Sequence, residues 1–235
     1  MDSMDVDDIP QKADLKPENF QVLHQIARGS HCDVFEASHS DEPDTLYVAK
    51  IYAITGPDTV KKVSREYDAS QKIRPHKNII LCSGFKFGSE VQVFMEHGGD
   101  DLDEFVKKNN QRLDVMQKLE VMLQMTEGVV HIHKEGYVHR NIKPSNIMVK
   151  EVEEAGGRKR LVCRVTDMVL CRESLDRRME GGTMGIGGEN WRAPEMFGDE
   201  PGEYRDTVDT FSMGLLFIVL LTTLPRDGMK PLKRE

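Results

Sequence analysis

Val138-His139-Arg140-Asn141-Ile142-Lys143-Pro144-Ser145-Asn146 is the stretch on which the reading of this chain turns. It gathers an imidazole, a guanidinium, an ammonium and two carboxamides around a proline, with no carboxylate among them. A carboxamide accepts a hydrogen bond but has no useful basicity near neutral pH, so Asn141 can orient a hydroxyl group without taking its proton. Upstream, Leu119, Met122, Met125 or Thr126, Val129 and Ile132 recur at helical spacing, and Gly136 is placed as a C-terminal cap. Downstream, Ile147 to Lys150 and Leu161 to Thr166 read as a hairpin across the polar segment 151–160, where Gly156-Gly157 marks a turn.

Further out, branched and aromatic residues predict strands over Phe20 to Ala27, Val34 to Ser38 and Leu46 to Tyr52. A helical pattern follows from Asp58 to Lys72, with Val60, Val63, Tyr67 and Ser70 on one face and Pro75 beyond its end. Ile79 to Phe87 and Val91 to Glu96 read as two more strands, broken by Gly98-Gly99. Val208 to Thr222 is apolar nearly all round, as a helix buried inside a domain would be. The expected fold class is α+β with two lobes: a small antiparallel β lobe with one helix over 19–97, and an incomplete, mainly helical large lobe over 98–224. Residues 1–18 read as an acidic disordered tail and 225–235 as a second tail.

Composition narrows the partners. A hydrophobic fraction of 38% beside 31% charged residues suits a soluble chain of 235 residues with a sizeable core. A formal charge of -8 argues against general binding to a nucleic-acid backbone. Cys32, Cys82, Cys163 and Cys171 are scattered without a C-x-x-C pair, which suits reduced thiols and a cytoplasmic setting. The start of the chain has neither the basic nor the apolar character of a targeting signal, and the run Leu215 to Leu221 is far too short to span a membrane. His131, His133 and His139 lack a zinc-binding spacing.

Taken in order, Ala27-x-Gly29-x-x-Cys32-x-Val34, Val48-Ala49-Lys50, Glu66, Val93-Phe94-Met95-Glu96-His97-Gly98, the loop of Asn141, Asp167-Met168-Val169, Ala193-Pro194-Glu195 and Asp209 resemble the eukaryotic protein kinase domain from about Phe20 to Leu224. The segments 166–171, 190–196 and 207–214 are most similar to the kinase part of the endoplasmic-reticulum stress sensors that join a kinase to an endoribonuclease. The resemblance implies that Lys50 contacts phosphates and pairs with Glu66. Met95 would gate the back pocket, Glu96, His97 and Gly98 would offer backbone groups to adenine from the hinge, and Ala27, Gly29, Val34, Ala49 and Met148 would complete the nucleotide site. Asn146 and Asp167 would hold Mg2+, Lys143 would neutralise the transferred phosphate, and Asn141 occupies the place of the catalytic base. Ser174 and Thr183 are candidate phosphosites, with Arg140 the matching cation. Asp209 would anchor the loop from below.

The departures point one way. Ala27 and Cys32 stand where glycines let backbone amides approach phosphates, and Val169 removes the backbone latitude of a third glycine. Beyond the buried helix only Leu224 to Glu235 remain, so the flank of Val208 to Leu221 expects either a missing C-terminal part or a cover supplied by a protein partner or self-association. The expected function is a pseudokinase, an ATP- or ADP-binding regulatory or interaction module with Mg2+ if nucleotide binding is retained. The alternative is a weakly active serine/threonine kinase, since phosphoryl transfer rests mainly on positioning and loss of a general base costs about 10² to 10⁴ in rate.

Overall fold

The computed structural model describes residues 15–28, 32–109, 113–154, 157, 159–173, 189–197 and 205–222. Gly29, Gly156, Ser174, Thr183, the acidic segment 1–14 and the segment 223–235 lie outside the described residues.

Strands β1 (Phe20–Arg28), β2 (Asp33–His39), β3 (Glu42–Ala53), β4 (Cys82–Phe87) and β5 (Glu90–Glu96) form an antiparallel sheet in the order β1-β2-β3-β5-β4. The two-residue period of a strand gives the sheet two apolar faces. Phe20, Ala37, Tyr47, Ala49 and Phe94 pack on one, where Phe20 stacks on Phe94 at 4.2 Å. Tyr52, Val91, Val93 and Met95 pack on the other, under helix α1 (Pro57–Lys72). Lys16, read above as tail, precedes the short 3-10 turn Pro17–Asn19, and its carbonyl accepts from His39 Nε2 of this lobe at 3.2 Å.

Two expectations are corrected here. The buried side of α1 is Val63, Glu66, Ala69 and Ser70, while Val60 and Tyr67 are exposed. Polarity misled the phase: the helix is rolled to bring Glu66 inward to a cation on β3. Ile79 to Leu81 likewise are not strand residues, because Asn78 O and Ile80 N–H bond to Val165 of the second lobe, at 2.8 and 2.9 Å, instead of extending β4.

The second lobe runs through β6 (Asp100–Asp101), α2 (Leu102–Asn109), α3 (Val115–Lys134), β7 (Tyr137–Val138), β8 (Ile147–Glu153), β9 (Lys159–Val165), β10 (Arg172–Glu173) and α4 (Thr207–Leu221). A reciprocal capping box between Asp114 and Gln117 starts α3, and Gly136 leaves its end at φ 83°. Val121, Met125, Val129 and Ile132 form a core with Ile147, Val149, Val165, Met213, Leu216 and Leu220. Each such side chain contributes about 1.5 to 3 kcal/mol on burial. Leu119, expected on this face, is exposed. The helix instead turns Gly128 inward, where an added Cβ would lie 2.6 Å from Asn78 O. The closest approach was thus made at the residue with no side chain to register in an apolar pattern. The architecture is α+β, a sheet lobe on a mainly helical lobe, with the Asn141 loop at their junction.

Candidate active site

Lys50 projects from β3 between two carboxylates. Its Nζ donates to Glu66 Oε1 of α1 at 3.2 Å and to Asp167 Oδ1, after β9, at 2.9 Å. Tyr52, two residues along on the same strand face, donates its hydroxyl to Glu66 Oε2 at 3.1 Å. Burial pushes the Lys50 ammonium down, but Asp167 and Glu66 more than offset this and raise it. The carboxylates part company. Burial raises Glu66 despite Lys50, whereas Lys50 outweighs the burial of Asp167 and holds it below its ordinary value. Removing one member of such a buried group typically costs about 3 to 5 kcal/mol.

The Asn141 loop is shaped from below by α4. Asp209 Oδ2 accepts the His139 backbone N–H at 2.8 Å, and its Oδ1 accepts that of Arg140 at 2.7 Å. The same Oδ2 lies 2.8 Å from His133 Nε2. His139 Nε2 donates to Thr166 O at 3.0 Å and its Nδ1 accepts the Asn141 N–H at 3.2 Å, a pattern only the neutral ring can make. Burial accordingly lowers the His139 pKa.

Asn141 is therefore delivered into the cleft, 6% exposed. Its Nδ2 donates to Asp167 Oδ2 at 2.8 Å. Asn146 donates Nδ2 to Asn141 O at 2.8 Å and to the same Asp167 oxygen at 3.1 Å. Asn141 Oδ1 is buried without a hydrogen-bond partner among the described residues. An acceptor left dry in this way costs about 1 to 3 kcal/mol. Lys143 is half-buried and adds its charge to those depressing Asp167. Asp167 itself takes left-handed backbone at φ 75°, and Met168 after it is buried with the Cys171 thiol 3.7 Å from its sulfur. Val169 packs into the apolar cluster beneath α1 and β4.

One assignment to the nucleotide site is corrected. Ala49 faces away from Lys50, fully buried against Phe20, Tyr47 and Phe94. Alternation along β3 puts Val48 on the Lys50 face instead, where it packs with Met148 against the cluster containing Val93 and Met95. At the hinge, the His97 N–H is taken up by Leu46 O at 2.9 Å. Gly98 follows, pressed so closely on the lower lobe that a Cβ would meet Met148 Cβ at 2.5 Å. Glu96 is held by its carboxylate, to Arg164 at 2.7 Å and Lys150 at 3.2 Å. Met95 is buried, with the Thr166 hydroxyl 3.8 Å from its sulfur. Val34 stands opposite Lys50 in the sheet register and Ala27 opposite Val34. Cys32 is half-buried against the apolar cluster that contains Tyr52, and burial raises its pKa although the charge of Lys50 opposes this.

Sequence reading also missed two arginines. Arg140 is pushed down to about 10 by burial first and by Arg172 and Arg65 next. Arg65 is lowered too, by burial and then by Arg172. Strand β10 and helix α1 thus bring two further guanidinium groups to Arg140, a convergence no spacing rule reveals.

A model of the protein kinase domain matches residues 20–228. The chain belongs to the protein kinase family. Serine/threonine-protein kinase CLA4 of Candida albicans is 30% identical over 209 residues, covering 88% of this chain and 20% of that protein. Serine/threonine-protein kinase STY17 of Arabidopsis thaliana is 24% identical over 225 residues, covering 94% of this chain and 37% of that protein. Serine/threonine-protein kinase/endoribonuclease ire-1 of Caenorhabditis elegans is 27% identical over 184 residues, covering 75% of this chain and 18% of that protein. The chain spans from 18% to 58% of the length of the curated relatives it matches.

Protein kinase domains in general use ATP and Mg2+. In this kinase domain the carboxylate of Asp167 and the carboxamide of Asn146 are the hard oxygen donors that would hold the cation, and they lie together in the cleft. When bound, the cation would supply positive charge that neutralises phosphate. Among the described residues, no cluster of three or more histidine, cysteine or acidic side chains offers another metal site, and no helix is long and apolar enough to cross a membrane.

Proposed function

We propose that this kinase domain is a pseudokinase, a module that takes ATP or ADP into the cleft and serves regulation or interaction, with impaired phosphotransfer. One observation carries the reading: the side chain presented to the cleft at the base position is the amide of Asn141, its nitrogen committed to Asp167 and its oxygen an acceptor with no basicity. Such a group can align a hydroxyl but not deprotonate it, a loss of about 10² to 10⁴ in rate. The joined Lys50, Glu66 and Asp167 support nucleotide binding. Cys32, turned in beside Lys50, opposes tight phosphate clamping.

A second reading, a weakly active serine/threonine kinase, is favoured by the closed Lys50–Glu66 pair, by Lys143 beside Asp167, and by relatives named as serine/threonine kinases. Thermal shift with ATP and Mg2+, run beside labelled phosphate transfer for the native chain and Asn141→Asp, separates the two. A shift without transfer, with transfer gained on restoring Asp, supports the pseudokinase. Robust transfer by the native chain overturns it.

Three narrower readings accompany this one. The motifs of 166–171, 190–196 and 207–214, with the match to ire-1, support kinship with the stress-sensor kinases. Exposed Leu119 and Leu123 on α3 and Ile218 and Leu221 on α4 support a protein partner or a second copy covering this flank. Four scattered cysteines without a C-x-x-C pair support a cytoplasmic setting.

A further inference from the structure

The two oxygens of Asp167 are both occupied by donors of this chain. Oδ1 receives Lys50 Nζ at 2.9 Å, and Oδ2 receives Asn141 Nδ2 at 2.8 Å and Asn146 Nδ2 at 3.1 Å. The amides are held nitrogen-first by chemistry. An amide oxygen facing a carboxylate oxygen would set like partial charges together, and Asn146 Nδ2 is further fixed by Asn141 O at 2.8 Å. A hard divalent cation reaches a carboxylate along the same lone pairs. Asn146 can serve either state, since its amide has an oxygen to turn toward a cation. Asn141 holds Oδ2 more closely than Asn146 does, at 2.8 Å against 3.1 Å, and its N–H must leave that oxygen before a cation can take the place, while its Oδ1 is buried without a hydrogen-bond partner among the described residues. A carboxylate at position 141 would have the opposite effect, adding negative charge beside Asp167 and drawing the cation in.

We propose that Asn141 is a positioning residue that stands in for a divalent cation on Asp167, so that cation and amide compete for Oδ2 and nucleotide uptake does not depend on magnesium. The first half rests on the geometry alone, and the second rests on the nucleotide-binding reading above.

The test uses the full chain as native protein, Asn141→Ala and Asn141→Asp. Melting is followed in EDTA and with Mg2+ or Mn2+ alone, and ADP binding is measured by calorimetry in EDTA and in Mg2+. With metal alone the native melting point should move by less than about 1 °C, Asn141→Ala should gain a clear metal response, and Asn141→Asp should melt lower in EDTA and recover several degrees with metal, on the usual scale of about 2 to 8 °C per kcal/mol. Native ADP affinity should agree within about twofold with and without Mg2+, while Asn141→Asp should gain about tenfold or more. A native chain whose ADP affinity rises about tenfold with Mg2+ overturns the proposal, as does an Asn141→Ala variant with an unchanged metal response. Absence of ADP binding in every condition removes the nucleotide-binding reading and the second half with it, and the metal-alone melting still decides the first. Should Asn141→Asp not fold, Asn141→Ala and the native chain decide.

Discussion

Asp209 accepts the backbone N–H of Arg140 at 2.7 Å, and Arg140 is held there in left-handed backbone at φ 63°. Such a conformation costs a non-glycine residue about 1 to 3 kcal/mol and persists only where its surroundings over-determine it. Here the surroundings are α4, whose single carboxylate also receives His139 N–H and lies against His133 Nε2. The loop that carries Asn141 is thus set by a residue about seventy positions later in the chain.

Asp209→Ala should therefore lower stability by about 3 to 5 kcal/mol, because it strands buried donors. Asp209→Asn, which keeps one acceptor, should cost less. Urea denaturation measures both, and a cost below about 1 kcal/mol for the alanine variant would show that α4 does not hold the loop.

Two glycines in helices should respond to alanine with opposite signs. At Gly128 the new Cβ would stand 2.6 Å from Asn78 O and 3.1 Å from Val165 Cγ2, so despite a propensity gain of about 1 kcal/mol the variant should be destabilised by about 1 to 3 kcal/mol. At Gly214 nothing among the described residues lies within 4 Å of the added Cβ, and the variant should gain up to about 1 kcal/mol. Equal signs in a pair of melting curves would contradict this packing of α3 on β9.

Cys32 is half-buried, whereas Cys82, Cys163 and Cys171 are buried. Native alkylation should reach Cys32 first. It should proceed more slowly than with a free thiol, since burial raises the pKa and thins the thiolate, and ADP should slow it further. Peptide mapping that finds another cysteine modified first would refute the placement. Cys32→Gly should tighten ADP binding by opening the space beside Lys50.

The hinge should carry a pH signature. Burial pushes Glu96 up, but Arg164 and then Lys150 more than offset it and hold the carboxyl below its ordinary range. A carboxyl depressed in the folded state contributes stability that is present above its unfolded value of about 4.3 and is lost as pH falls through the folded one. Glu96→Gln should thus be less stable than the native chain by about 1 kcal/mol at neutral pH, with the gap closing below about pH 4. Denaturation across that range checks it, and a gap that widens with acid would reverse the sign.

How far the chain could be read without coordinates is clearest at particular residues. The strands around Lys50, the helix of Glu66 and the loop of Asn141 were legible because period and breaker residues act locally. Ala49 was assigned to the wrong face although alternation from Lys50 already pointed to Val48. The phases of α1 and α3 were misjudged because Glu66 and Gly128 face inward for reasons that lie on other elements. The approach of Arg65 and Arg172 to Arg140 had no spacing that could announce it.

What the amino-acid order determined alone is the chemistry on offer: an amide at 141, a lysine at 50, carboxylates at 66, 167 and 209. These identities follow from the covalent chain and survive any packing. Only the tertiary structure decided that the amide of Asn141 would meet Asp167 at 2.8 Å, leaving its oxygen without a hydrogen-bond partner among the described residues. That distance depends on α4, β9 and the loop being brought together from separate parts of the chain, and a hydrogen bond formed across such separations is a property of the packed core.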